Sequence, residues 1–159
     1  MGKANRLEDV QSVQTNGQAL NNAMKGLRDS ISNETTVKAS QNYTDASPNN
    51  QSTYNSAVSN AKGIINQTNN PTMDASTITQ ATTQVNNAKN GLNGAENLRN
   101  AQNTAKQNLN TLSHLTNNQK SAISSQIDRA GHVSEVTAAK NAATELNTQM
   151  GNLEQAIHD

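Results

Sequence analysis

The chain has 159 residues, enough for one domain of ordinary size or two small ones, and its 12 basic and 12 acidic residues give a formal net charge of +0. No charge field is therefore present to gather nucleic acid or anionic lipid. Hydrophobic residues make up only 31%, Phe, Trp and Cys are absent, and Tyr43 and Tyr54 are the whole aromatic inventory, which excludes a large packed core, a disulfide framework and thiol catalysis.

The scarcity of Leu, Ile and Val would point to disorder only if joined to a high net charge, so periodicity decides. Leu7, Val10, Val13, Leu20, Met24, Leu27 and Ile31 recur at helical spacing and predict a first helix from about Asn5 to Asn33. Ser47 followed by Pro48 reads as an N-cap with proline at the first helical position. Tyr54, Val58, Ala61 and Ile65 then define a second helix, about 48–68. Asp74 caps a third. Two Asn-Gly pairs, Asn90-Gly91 and Asn93-Gly94, fall inside that third helix, and Asn-Gly is a strong turn signal.

Apolar residues run up to those pairs from both sides. On a helical wheel Ile78, Ala81, Val85, Ala88, Leu92 and Ala95 form one stripe roughly 100° wide. Leu98, Ala101, Ala105, Leu109 and Leu112 form another, rotated by about 130°. With no polar gap between the stripes, the pattern predicts one continuous helix from about Asp74 to Ser113 that turns its first half to one bundle and its second half to another. The rival is a break at Asn93-Gly94. Thr116 and Gln119 make a capping box that opens a helix of about 117–130 through Ile123 and Ile127, and Gly131 supplies its stop. Ser134 caps a last helix carrying Val136, Ala139, Ala143, Leu146, Met150, Leu153 and Ile157.

An internal repeat sets the order of these parts. LNNAMKGLRDSI from Leu20 aligns without gaps with LNTQMGNLEQAI from Leu146, an offset of 126 residues, and the resemblance extends back to Val10 and Val136. VNNAKNGLNGAE from Val85 is a weaker third copy. The expectation is an all-α chain of two three-helix bundles in series, sharing one long continuous helix as an elongated rod. The first bundle covers 1–95 with helices about 5–33, 48–68 and 74–95; the second covers 96–145 with helices about 96–113, 117–130 and 135–145. Residues 146–159 are expected to be a solvent-exposed helical extension that begins the next repeat. No apolar run of transmembrane or signal-peptide length follows MGKANR, so the sequence reads as a mature segment or an excised fragment.

NYTDASPNNQSTYNSAVSNAKGII, from Asn42 to Ile65, resembles the signature of the bacterial FIVAR module, with its paired tyrosines and the AVxxAKxII run. The segment from Leu98 to Leu146, with QNLNTLSHLTNNQKSAISSQIDRAGHVSEVTAAKNAATEL, resembles a GA module of the albumin-binding type. Their alternation at this repeat length is similar to the giant extracellular-matrix-binding surface proteins of staphylococci. That resemblance implies a segment of a long, wall-associated, extracellular stalk. It implies as partners the neighbouring repeats of the same chain and host matrix proteins such as fibronectin.

Nothing in the residues supports an enzyme. His114, His132 and His158 are scattered near predicted helix ends, where capping or solvation accounts for them. Asp128 with His132, and Glu154 with His158, have the four-residue spacing of solvated ion pairs, and two ligands do not make a metal site. No phosphate loop, nucleophile elbow or converging carboxylates occur, so neither catalytic residues nor a cofactor or metal is assigned. Tyr54 is expected in the first core, with Tyr43 packing the preceding loop onto it. The structural repeat of a non-catalytic stalk is the first functional reading, and the chain is expected to be a monomer. The alternative is a binding module for fibronectin or another matrix glycoprotein. Albumin is disfavoured, because the segment from Leu98 to Leu146 has no aromatic residue and only Arg99 and Arg129 as anchors of the usual kind.

Overall fold

The computed structural model describes residues 6–158, so the expected start of the first helix at Asn5 lies outside the described residues. Its helices are α1 Leu7–Ile31, α2 Glu34–Ala39, α3 Gln41–Thr44, α4 Pro48–Ile65, α5 Ala75–Asn90, α6 Gly94–Asn110, α7 Asn117–Arg129 and α8 Val133–His158, with no strand among the described residues. They gather into two units. The first runs to Tyr43 and resumes over Ser47–Leu92; the second takes Thr44–Ala46 and the chain from Asn93 onward.

In the first unit α5 packs against α1 and α4. Leu27, Tyr54, Val58, Ile78 and Val85 are fully buried there, as the stripes of their helices require. Tyr43 meets Tyr54 edge to face at 6.1 Å, and its hydroxyl donates to Asn55 Oδ1 at 3.1 Å, so the tyrosine pair is core and loop anchor. Burial without a hydrogen bond to the Tyr54 hydroxyl pushes that phenol above its ordinary pKa. The short helices α2 and α3 have too few residues to show a period. Glu34 at the start of α2 holds Lys38 and Lys62 of α4, each at 2.7 Å, and the two ammonium groups keep its carboxyl below the usual carboxylate range.

The continuous third helix is overturned. α5 ends at Asn90, Leu92 and Asn93 lie outside helix, and α6 begins at Gly94. Except for Ala95, expected to close the first stripe but half-buried in α6 of the second unit, the stripes fall in the units expected: Ile78, Ala81, Val85, Ala88 and Leu92 are buried in the first, and Ala105, Leu109 and Leu112 in the second, with Leu98 and Ala101 packed beside them. The change of face is made by a turn. The turn is stabilised from a distance, because Asn50 Nδ2 donates to the Gly91 carbonyl at 3.1 Å and takes up one of the acceptors that a helix C-terminus leaves open. Gly91 N–H also closes onto Asn87 O at 2.9 Å.

In the second unit α6 packs against α7 and α8 around Leu109, Ile123, Ile127, Val136 and Ala143. The capping box of α7 is present, with Thr116 Oγ1 accepting from Gln119 N–H at 3.1 Å and Gln119 Oε1 from Thr116 N–H at 2.9 Å. α8 begins at Val133, one residue before the expected Ser134 cap, because Asp45 Oδ1 accepts from Val133 N–H at 3.1 Å. The exposed extension also starts later than 146. Leu146 and Met150 pack against the second core, and exposure sets in beyond Gly151.

Candidate functional site

Three features stand out as places where the molecule could meet something else. The first is the pair of helices that carry the repeat. At the 126-residue offset Leu7 falls on Val133 and Ile31 on Ile157, so α1 and α8 are the same helix at two positions in the repeat. Their burial is exchanged. In α1 the C-terminal half is covered, with Leu27 at 0% exposure, while Leu7, Val10 and Val13 stand at 72%, 47% and 65%. In α8 the N-terminal half is covered through Val136 and Ala143, while Leu153 and Ile157 stand at 54% and 75%. The first half of the α1 stripe, expected in the first core, is thus an unpartnered apolar face. Exposed apolar stripes of this kind mark interaction surfaces.

The second feature is a groove of about 630 Å³ between α4 and α5 in the first unit. Ala57 and Ala88 floor it, and Asn50, Thr53, Asn60, Gln84 and Asn87 line it with amides and a hydroxyl, with no charged group. Such a lining offers hydrogen bonds without acid or base chemistry. Arg99 and Arg129 stand exposed on α6 and α7, as does His158 at the end of α8.

The third feature is the histidines, whose partners are not those their spacing suggested. Asp128 pairs with Lys106 of α6, His132 Nδ1 with Asp45 Oδ2 at 2.8 Å, and Glu154 Oε2 with His114 Nδ1 at 3.1 Å. Each link joins parts of the second unit far apart in sequence. His114 N–H also donates to Asn147 Oδ1 at 2.9 Å, and its ring lies against Gly151, where an added Cβ would stand 3.0 Å from Cδ2. Asp45 closes a small network, since its carbonyl accepts from Asn97 Nδ2 at 3.0 Å. Among the described residues no three of His, Cys, Asp and Glu gather as a metal would need, and no helix is long and apolar enough to cross a membrane.

The hydrogen bond to Asp45, then its charge, raises the His132 imidazole above the ordinary histidine value, with Glu135 adding to the effect. Folding therefore raises this pKa. The link contributes fully below the unfolded pKa and is lost as pH rises through the folded one. An NMR titration of the His132 ring is expected to show its midpoint fall toward the ordinary value in Asp45→Asn; an unchanged midpoint would mean that the contact does not hold the proton.

Comparison with known proteins follows this geometry closely. Residues 23–93 match the FIVAR domain and residues 95–149 the GA module, so the division between the two matches falls at the turn after α5. Over all 159 residues the chain is 97% identical to the extracellular matrix-binding protein ebh of Staphylococcus aureus strain MRSA252 and 95% identical to that of strain NCTC 8325 / PS 47. It spans about 2% of the length of these relatives. Among solved structures, a Staphylococcus aureus domain described as similar to the streptococcal adhesins emb and ebhA/ebhB is 37% identical with a TM-score of 0.72, covering 79% of this chain and 98% of its own. A crystallised segment of EbhA from Staphylococcus aureus is 34% identical with a TM-score of 0.84, covering 88% of this chain and 58% of its own.

Proposed function

Because the chain belongs to the FIVAR- and GA-module family of staphylococcal extracellular matrix-binding proteins, we propose that it is one structural repeat of a long, non-catalytic stalk at the bacterial surface. The observation that carries this reading is the exchanged burial of α1 and α8. One helix pattern serves two cores. Its first half, Val136, Ala139, Ala143, Leu146 and Met150 in α8, completes a GA-type bundle; its second half, Leu27 and Ile31 in α1, completes a FIVAR-type bundle. A neighbouring repeat at each side would cover what this chain leaves open: Val10 and Val13 by a GA-type pair of helices, Leu153 and Ile157 by a FIVAR-type pair. Each large side chain so covered contributes about 1.5–3 kcal/mol. The partners of the repeat are then first of all its own neighbours, and the wall-associated, extracellular setting belongs to the stalk as a whole.

The matrix-binding name of the relatives favours a second reading, in which the repeat contacts a matrix glycoprotein such as fibronectin. The uncharged groove between α4 and α5 is its best surface. Albumin remains the weaker partner, since the second unit presents Arg99 and Arg129 and no aromatic anchor.

The chain has no cysteine, so Leu153→Cys gives a unique thiol. It is expected to react freely in a single repeat and to be protected when a second repeat follows on the same chain. Equal reactivity in both would reject the covered junction. Titration of fibronectin with one repeat and with a long array separates the second reading: the stalk account expects binding only from arrays, through avidity, whereas saturable binding by one repeat, lost on substituting Asn60 and Gln84, would favour the binding module.

A further inference from the structure

The repeat helix occurs twice in this chain, as α1 and α8, so its two copies can be compared position by position. Val136, Leu146 and Met150 of α8 are Val10, Leu20 and Met24 in α1, while Ala139 and Ala143 are Val13 and Gly17, changes of size alone. By apolar pattern, then, the exposed first half of α1 could lie against α6 and α7 of another copy's second unit in place of α8. The polar face of the helix differs.

His114 stands in the turn between α6 and α7, where Leu112 and Leu115 on either side are buried in the second core. It meets α8 along one stripe, spaced by four and three residues. Asn147 Oδ1 accepts from the His114 N–H at 2.9 Å, and His114 Nδ1 lies 3.1 Å from Glu154 Oε2. Between them the ring covers Gly151, where an added Cβ would stand 3.0 Å from Cδ2, 3.1 Å from Nε2 and 3.3 Å from Cγ. In α1 the same stripe reads Asn21, Lys25 and Arg28. The asparagine that would hold the backbone of the turn is kept; both residues facing the ring are changed. Helix chemistry does not account for the pair in α8. Lysine forms helix better than glycine, and arginine suits the C-terminal end of a helix better than glutamate. The locally weaker pair stands where the imidazole faces it.

We propose that His114 is a specificity-determining residue, which selects the copy of the repeat helix that completes the second unit. It admits a helix with glycine and, three residues on, an acid. It turns away one with lysine and arginine, such as α1 of another copy of this chain. A lysine Cβ at position 151 would crowd three ring atoms at once, so the ring must move aside, and the buried leucines flanking it hold the turn in place. A carboxylate only accepts, so Nδ1 donates to Glu154; an arginine only donates, and would leave that hydrogen facing a cation. The selection rests on the reading of this chain as one repeat among many, because only then are competing copies of the helix at hand.

The test is a mutant cycle in the full chain, read by native-state hydrogen exchange of the amides from Asn147 to Glu154. Gly151→Lys together with Glu154→Arg gives α8 the residues of α1 at both positions, and is expected to lower protection there about fivefold. In a His114→Ala background the same two substitutions are expected to leave protection unchanged or raise it, because only their better helix propensity remains. Unchanged or higher protection with His114 present, or a comparable loss in both backgrounds, would overturn the proposal. Neither result bears on whether a following repeat covers Leu153, which the thiol measurement reads separately.

Discussion

Narrow apolar stripes on polar helices are the constraint from which the rest of this structure follows. With so few large hydrophobic side chains, no helix can be covered on two faces at once, and each core is a single line where three stripes meet. Tyr54, Leu27, Ile78, Val58 and Val85 fill that line in the first unit; Ile127 and Val136 anchor it in the second. A chain built this way passes from one core to the next by changing the face that carries the stripe. It does so at Gly91–Asn93, and the pattern of α1 and α8 supports the same division of labour within one helix. Large polar faces of Asn, Thr, Ser and Gln are left over, which keeps such a chain in water without a net charge.

Much of this was legible from residue spacing. The stripe on α5 and the stripe on α6 are buried as their phases demand, and the Thr116–Gln119 box and the Asp74 cap form where local chemistry places them. The turn between α5 and α6 was less legible. Two glycines penalise a helix by only about 1 kcal/mol each, and a change of stripe phase fits a bent helix as well as a broken one. What decides the break is not local: Leu92 inserts into the first core, and Asn50, 41 residues away, donates to the Gly91 carbonyl.

The polar contacts were less legible for the same reason. Spacing suggested Asp128 with His132 and Glu154 with His158, yet an i,i+4 pair on an exposed helix is worth only a few tenths of a kcal/mol. Tertiary partners outcompete it. Asp45 takes His132 across 87 residues and caps α8 with its other oxygen, and His114 takes Glu154 across 40. The late start of the exposed extension has a related cause: Met24 and Met150 occupy equivalent positions, so the sequence does not show where one core ends, whereas His114 lying on Gly151 extends the second unit by about a turn.

One sequence pattern has two energetic meanings in this chain, core at Leu27 of α1 and open at Leu153 of α8. Native-state hydrogen exchange on the single chain, carried out on Leu27→Ala and Leu153→Ala, tests this most directly. Leu27→Ala is expected to lower the opening free energy of the first unit by about 2–5 kcal/mol, and Leu153→Ala to change that of the second by less than about 0.5 kcal/mol. Comparable losses from the two substitutions would contradict the account, because Leu153 would then already have its core within this chain.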